Sequence, residues 1–348
     1  TFLFSDGFSQ GVDKPNIIII LADDMGYGDV SSFNDHSAFE TPHIDQLAED
    51  GVKFTQAYTS SSVCTPTRYG LLTGRYNWRS TLKNGVTWGF SKPLISAGRL
   101  TVGKMLQQSN YHTAFIGKWH LGWDWEFIGS PPENLDNPAI RPDVDYSQPI
   151  KNGPNDRGFS YSYGITASLD MPPYVYVEDN LPTSIPTETT ANYDYKGFWR
   201  EGLTGTDFAH VDVLPHLTNQ SVEYIKRQAD SAQPFFLYYA LPAPHTPILP
   251  NTEFMGKSNS NMYGDFVLQV DDVAGHITEA LKQNHILENT MIIFTTDNGA
   301  SPRSDFPELA RAGHNPSYIF RGHKADIFEG GTQSALCGEL AGWDNPFF

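Results

Sequence analysis

The chain has 348 residues and carries 23 lysines and arginines against 40 aspartates and glutamates, a formal net charge of −17. This charge disfavours nucleic acid and anionic membrane surfaces as partners, and no apolar run approaches the roughly 20 residues of a membrane helix. The 2 cysteines are too few for a disulfide framework.

The chain begins with Thr1 and not with Met, and residues 1–12 form an N-terminal extension with a few apolar side chains. Such an end is typical of a chain from which a signal peptide has been removed. We therefore expect a periplasmic or secreted protein.

Continuous apolar runs alternate along the chain with amphipathic stretches. Runs rich in β-branched and aromatic residues predict strands at 16–21, 234–240 and 290–296. Apolar residues at helical spacing predict helices at 43–50, 100–109, 217–229 and 263–283. This alternation predicts an α/β fold with a doubly wound, mostly parallel sheet and helices on both of its faces.

Residues 13–331 are predicted to form one domain, because no linker and no internal repeat interrupts them. The stretch 129–206 is rich in Pro, Asn, Asp and Tyr and has little periodicity, which predicts long ordered loops. The glycines and prolines are scattered along the chain, as in a loop-rich globular protein.

Polar residues follow two of the predicted strands directly. Asp23 and Asp24 end the first strand, and Asp297 and Asn298 end the last. The carboxyl ends of parallel strands lie at one edge of a sheet, so these side chains should converge there. Taken singly, each aspartate is more often a helix cap, but together their oxygens suit Ca²⁺, or Mg²⁺, and not zinc.

The segment 62–75 contains a Cys-x-Pro-x-Arg core, Cys64 to Arg68, followed by Leu-Thr-Gly-Arg. It resembles the signature of the type I, formylglycine-dependent sulfatases of the alkaline phosphatase superfamily. Pro66 is suited to the first turn of a helix, which places residue 64 at the amino end, where an anion is stabilised. Arg68, one turn further, should face the same site.

The resemblance extends from Lys14 to about Gly331 and its motifs occur in the family's order. They include the apolar run up to Gly28, a Gly-Lys-Trp-His-Leu-Gly segment and a Pro-His-Thr-Pro turn. Further along the chain come Thr-Asp-Asn-Gly and a glycine-rich segment that begins at Gly322.

The resemblance implies that a formylglycine-generating enzyme oxidises Cys64 and that the hydrated aldehyde supplies the nucleophilic oxygen. It assigns the cation to Asp23, Asp24, Asp297 and Asn298, with residue 64 as a further ligand. Beside Cys64 and Arg68, it assigns catalytic roles to four residues. These are sulfate contact for Lys118 and Lys324, orientation of the formylglycine hydroxyls for His120, and protonation of the leaving alcohol for His245.

The segment after Ser168 resembles loops of bacterial carbohydrate sulfatases, which implies a sulfated saccharide of galactose or N-acetylgalactosamine type as the substrate. Ser168 is a candidate sulfate contact. Further candidates are the stacking aromatics Tyr174, Tyr176 and Trp199 and the sugar contacts His314, Asn315 and Arg321.

Residues 332–348 depart from the family pattern, which continues into a smaller C-terminal subdomain. We interpret this atypical tail as a truncation, which would expose a sheet edge and favour a homodimer. One alternative is therefore a truncated, unmodified sulfatase-like protein that binds a metal or a sulfated glycan without turnover. A second alternative is a phosphatase or phosphodiesterase of the same superfamily, which would use Ser or Thr and two zinc ions.

Overall fold

The computed structural model describes residues 14–340; the extension 1–12 and the last residues of the tail, 341–348, lie outside the described residues. Strands form a nine-stranded sheet and a separate two-stranded sheet. The strands of the large sheet are β1 (Asn16–Ala22), β2 (Val52–Phe54), β3 (His112–Lys118), β4 (Tyr161–Ile165), β5 (Val177–Glu178), β6 (Leu181–Pro182), β9 (Phe235–Ala240), β10 (Thr290–Thr296) and β11 (Leu336–Leu340), and those of the small sheet are β7 (Glu188–Asn192) and β8 (Trp199–Thr204).

The centre of the large sheet is parallel, in the order β10-β1-β9-β3-β4. Antiparallel strands extend it on both sides, β11 and β2 next to β10, and β5 and β6 next to β4. The register pairs Ala22 with Thr296, so the polar residues after β1 and β10 leave the sheet side by side. The predicted mostly parallel sheet is confirmed.

Helices cover both faces of this sheet. They are α1 (Pro42–Asp50), α2 (Cys64–Thr73), α3 (Val102–Gln108), α4 (Val213–Ala229), α5 (Met262–Gln283), α6 (Phe306–Arg311) and α7 (Glu329–Thr332). Ile18 and Ile20 point into one core with α1, α4 and α5, whereas Leu21 packs on the other face with residues of α2 and α3. This alternation follows from the two-residue period of a strand that is buried on both faces. No helix between residues 14 and 340 has the length and apolarity needed to span a membrane.

The four predicted helices correspond to α1, α3, α4 and α5 within a few residues. The stretch 129–206 departs from its prediction, because β4 to β8 lie in it between the loops. The tail also contributes more than expected, since Leu336–Leu340 pairs antiparallel with both β10 and β2. The predicted boundary at residue 331 therefore separates a strand from the sheet to which it pairs.

Candidate active site

The residues that follow β1 and β10 converge at the carboxyl edge of the sheet. Asp23, Asp24, Asp297 and Asn298 are all buried there. The Asn298 amide donates to Asp24 Oδ1 over 2.7 Å, and the Asp24 backbone N–H donates to Asp297 Oδ1 over 3.2 Å. The two strand ends are thus joined through their own polar side chains.

Two buried cations neutralise these carboxylates. Arg68 donates to Asp297 Oδ2 from Nε over 3.1 Å and from Nη2 over 2.9 Å, and its Nη2 lies 3.6 Å from Asp23 Oδ2. Lys118, the last residue of β3, forms an ion pair with Asp23, and its carbonyl accepts from Arg68 Nη1 over 2.8 Å. Residues from β1, α2, β3 and β10 therefore share one network of charges.

Burial and neighbouring charges shift the pKa values of Asp23 and Asp297. Burial alone would raise the pKa of Asp23, but Lys118, His245 and Arg68 hold it well below its ordinary value. The pKa of Asp297 is raised to about 7, by burial and by the negative charge of Asp23. A site in which two carboxylates repel each other in this way stabilises additional positive charge.

The donor atoms fit a hard cation. Asp23 Oδ1 and Asn298 Oδ1 are buried and have no hydrogen-bond partner within residues 14–340. Ligand atoms of Asp23, Asp24, Cys64 and His245 lie within 4.8 Å of one another. Both oxygens of Asp297 accept hydrogen bonds, and both oxygens of Asp24 do so as well, from the Asn298 amide and from Lys324. The free oxygens suit Ca²⁺ or Mg²⁺.

Cys64 is the first residue of α2, and Pro66 lies in the first turn of this helix, as predicted. The buried Cys64 Sγ lies 3.9 Å from Asp24 Oδ1 and 3.5 Å from Lys324 Nζ. Lys324 Nζ also lies 2.6 Å from Asp24 Oδ1. Burial raises the pKa of the Cys64 thiol, and Lys118 and Lys324 only partly oppose this shift.

His120 presents a free ring nitrogen to the site. Its Nε2 lies 2.8 Å from the Thr87 carbonyl, which can only accept, so Nε2 carries the hydrogen. Burial and the charges of Lys118 and Arg68 lower the pKa of His120 well below its ordinary value. The neutral ring therefore offers Nδ1 as an acceptor, and this buried atom has no partner in the described part of the chain.

His245 is held in the same manner by the carbonyl of its neighbour. Its Nδ1 donates to the Thr246 carbonyl over 2.6 Å, and its Nε2 lies 3.6 Å from Asp24 Oδ2. Burial lowers the pKa of His245, and the charge of Asp24 partly opposes this shift. A proton taken up at Nε2 would therefore face the carboxylate cluster.

Asp24 and His120 both adopt left-handed backbone conformations, with φ of 61° and 55°. Such conformations are sparsely populated by non-glycine residues and persist where contacts hold them. The Tyr263 hydroxyl shares its one hydrogen between Asp29 and the Asp24 carbonyl, which lies 3.0 Å away, and the hydroxyls of Thr65 and Thr87 donate to the His120 carbonyl over 2.9 Å and 2.8 Å. Sequence reasoning missed these three supporting residues.

The predicted sugar contact His314 is corrected by the structure. His314 is buried, its Nε2 lies 2.8 Å from Asp29 Oδ1, and its Nδ1 accepts from the Ala38 backbone N–H over 3.3 Å. Asp29 in turn accepts hydrogen bonds from the Gly26 backbone and the Tyr263 hydroxyl. Both ring nitrogens are therefore committed to holding the loop after β1.

Tyr174 and Tyr176 are also corrected, because both are buried in the core and their rings offer no face to a sugar. Trp199 stacks on the ring of His210 at 4.0 Å. Packing within the protein thus accounts for Tyr174 and Tyr176 and for one face of the half-buried Trp199.

The other predicted substrate residues lie in different surroundings. Ser168 follows β4, and its buried hydroxyl has no hydrogen-bond partner among the residues described. Asn315 is exposed, but its side chain accepts from the Ser317 N–H over 3.1 Å and closes a local turn. The Arg321 guanidinium lies 3.8 Å from the centre of the Phe328 ring. Of the four sugar or sulfate candidates, only Ser168 offers an unused buried polar group.

The chain is similar to known proteins over almost all of its length. The Sulfatase family model matches residues 15–334. An N-acetylgalactosamine-6-O-sulfatase of Bacteroides thetaiotaomicron is 34% identical over 93% of this chain and 67% of its own length. The human N-acetylgalactosamine-6-sulfatase is 31% identical over 97% of this chain and 58% of its own length.

A solved structure that concerns the metabolism of multiple glycosaminoglycans by Bacteroides thetaiotaomicron superposes with a TM-score of 0.82 and 31% identity, covering 95% of this chain and 73% of that chain. This chain thus spans between about half and two thirds of the length of its curated relatives. The match over almost all of its own length, together with the fold, shows that the chain belongs to the sulfatase family.

Proposed function

We propose that this chain hydrolyses the sulfate ester of a sulfated carbohydrate and that a formylglycine made from Cys64 supplies the nucleophile. One observation carries the proposal. Residue 64 lies at the amino end of α2, beside Lys324 and the carboxylates that follow β1. The position is buried and is surrounded by groups that bind an anion on one side and a cation on the other.

The oxygens of Asp23, Asp24 and Asn298, together with Asp297, are the proposed ligands of Ca²⁺. A bound dication acts as a Lewis acid that stabilises negative charge on oxygen. Arg68 and Lys118 hold the carboxylates in place, because both side chains are fully buried and form ion pairs with Asp297 and Asp23, respectively.

Formylglycine is proposed because its hydrate has two hydroxyl groups on one carbon, which a cysteine thiol lacks. The hydrated aldehyde offers a hydroxyl oxygen for attack on sulfur, and its second hydroxyl allows the aldehyde to be restored. Lys324 and Lys118 would neutralise charge on the sulfate oxygens, and Ser168 would donate its unused hydroxyl to one of them. The positive charge is local, which is what an anionic substrate requires on a chain of net charge −17.

The two histidines divide the proton transfers between them. His245, with Nε2 facing the cluster, is the proposed general acid for the departing alcohol. His120, with Nδ1 free and unprotonated, is the proposed acceptor of a formylglycine hydroxyl proton. Each ring is fixed by a hydrogen bond from its other nitrogen to a backbone carbonyl.

A carbohydrate sulfate is the proposed substrate class because two relatives of about one-third identity bear the name N-acetylgalactosamine-6-sulfatase or its 6-O form. We propose a galactose or N-acetylgalactosamine sulfate, and a formylglycine-generating enzyme as the maturation partner.

The test compares Cys64→Ala with Cys337→Ala, since Cys337 in β11 is the other cysteine and is also buried. Turnover of matched sulfate and phosphate esters is measured with Ca²⁺, and the peptide that carries each cysteine is analysed by mass spectrometry. We expect sulfate turnover in the wild type and in Cys337→Ala, none in Cys64→Ala, and a formylglycine mass at residue 64 alone.

Three outcomes would contradict the proposal. Undiminished turnover by Cys64→Ala would exclude the formylglycine mechanism. An unmodified thiol in a chain produced together with a formylglycine-generating enzyme, with binding but no turnover, would favour the binding protein. A faster reaction with the phosphate ester would favour the phosphatase alternative.

A further inference from the structure

Two arginines with aromatic partners have no part in the proposed reaction: Arg200 in β8 and Arg303 in the turn after β10. The Arg200 guanidinium lies 5.0 Å from the centre of the Trp88 ring and 5.2 Å from that of Phe198. It also forms an ion pair with Asp170 and donates to the Asp170 carbonyl over 3.0 Å. Arg200 is therefore fixed in position between two rings.

Arg303 also lies near the Phe198 ring. Its guanidinium is 5.4 Å from the centre of the Phe198 ring and 4.7 Å from that of Tyr195, and Nη1 donates to the Tyr195 carbonyl over 2.8 Å. No carboxylate oxygen within residues 14–340 lies within 4.0 Å of Arg303. Arg303 is thus a positioned cation whose charge is not neutralised by a neighbour.

Three contacts of the cluster lie in segments that also carry residues of the active site. Trp88 follows Thr87, whose carbonyl holds His120. Asp170, the partner of Arg200, belongs to the same loop as Ser168. The Arg303 turn follows Asn298, and Ala300 of the same segment accepts a backbone hydrogen bond from Lys324 over 3.0 Å. Three segments therefore connect the cluster to residues of the sulfate-ester site.

We propose that five residues form a second subsite: Trp88, Tyr195, Phe198, Arg200 and Arg303. This subsite binds the sugar next to the one that carries the hydrolysed sulfate ester, through an anionic group on that neighbouring sugar. The proposal rests on the proposed function, because it places the neighbouring sugar of the same substrate. Arg303 binds the anion, and the exposed Tyr195 and the half-buried Trp88 and Phe198 offer apolar surface to the sugar beside the two guanidinium groups.

The charges of the molecule favour this assignment. A chain of net charge −17 repels an anionic oligosaccharide everywhere except where cations are concentrated. A guanidinium that rests on aromatic rings and a carbonyl loses little side-chain freedom on binding, since its position is already set. The anion is a carboxylate of a uronate or a second sulfate, and the two share the same bidentate recognition by arginine.

Binding is measured by calorimetry in the Cys64→Ala background with Ca²⁺, so that turnover does not interfere. The probes are three sulfated disaccharides whose second sugar carries a carboxylate, a sulfate or no charge. Arg303→Gln is compared with Arg227→Gln. Arg227 has the same arrangement over Tyr161 at 4.9 Å, but Tyr161 begins β4, at the opposite edge of the sheet from the site.

We expect Arg303→Gln to weaken binding of a doubly anionic disaccharide at least about tenfold, which is the loss of a charged hydrogen bond. Binding of the disaccharide with an uncharged second sugar should not change, and Arg227→Gln should change neither. Whichever anionic disaccharide is affected identifies the anion. In the active enzyme the same substitution should raise KM and leave kcat unchanged.

Equal weakening of all three disaccharides by Arg303→Gln, or no weakening of any, would overturn the subsite. Failure of the proposed function is a distinct result. If the unsubstituted chain turned over no sulfate ester while Arg303→Gln still separated charged from uncharged disaccharides, the subsite would stand and the hydrolase would not.

Discussion

The large sheet ends in two very different surroundings. At the carboxyl edge of β1 and β10, buried charges from distant parts of the chain are bonded to one another. Along β2, β11 and the adjoining part of β10, a groove of 470 Å³ is lined by apolar side chains such as Val52, Met291 and Leu336. Phe54 in this groove is 46% exposed.

The difference shows how tightly each region is specified. A buried charge that loses its partner cannot be solvated, so the first region tolerates few changes. An exposed apolar side chain at a sheet edge buries little surface, so its replacement changes the free energy of unfolding little. Substitutions should therefore have large effects at the carboxyl edge and small ones in the groove.

The largest effect is expected for Arg68→Met, which keeps the size of the side chain and removes its charge. Asp297 would then lose both of its charged hydrogen bonds. We expect the free energy of unfolding to fall by about 3–5 kcal/mol, measured by urea denaturation with EDTA present. The control is Arg79→Met at an exposed position, where a change within about 0.5 kcal/mol is expected. Equal effects of the two substitutions would remove the basis of the comparison.

The second prediction concerns the stabilisation of the carboxyl edge by a bound cation. Ca²⁺ at about 100 times its Kd should raise the free energy of unfolding by about 2.7 kcal/mol relative to EDTA, because it binds only the folded site. Asp23→Asn should lose most of this increment, since Asp23 Oδ1 is one of the free oxygens. Asp230→Asn, at the exposed end of α4, should keep it. An increment that is the same in all three proteins would place the cation elsewhere.

The smallest effect is expected in the groove. Phe54 pairs with Leu336 across β2 and β11, and Phe54→Thr should cost under about 1 kcal/mol, as for a single exposed cross-strand pair. The contrasting variant is Phe294→Ala in β10, where the side chain is buried and a loss of about 3–5 kcal/mol is expected. A loss for Phe54→Thr as large as that for Phe294→Ala would mean that the groove belongs to the core.

The central strands and the convergence of Asp23, Asp24, Asp297 and Asn298 could be predicted because each depends on a local pattern. An apolar run that ends in acidic residues predicts both a buried strand and the position of its carboxyl end. Strands β2 and β11 could not be predicted in this way. They are short, partly exposed and lie at the edge, so their pairing with β10 leaves little trace in the sequence.

Burial of polar side chains was the main source of error. His314 lies in a polar, proline-containing segment near Lys324, but its partner Asp29 is far away in the sequence. Tyr174 belongs to a tyrosine-rich loop, yet its hydroxyl donates to the Arg200 carbonyl over 2.6 Å within the core. The arrangement of Arg200 and Arg303 around Phe198 likewise depends on loops that meet only in the folded chain.

The burial of Cys64 has a consequence for the order of events during biosynthesis. Its side chain is enclosed by α2, Asp24 and Lys324, so another enzyme cannot reach it once these elements have assembled. Any oxidation of this residue by a separate protein therefore has to take place on the nascent or unfolded chain. On the proposed mechanism, a chain that folded before modification would keep its thiol, and a modifying enzyme would act on it only after unfolding.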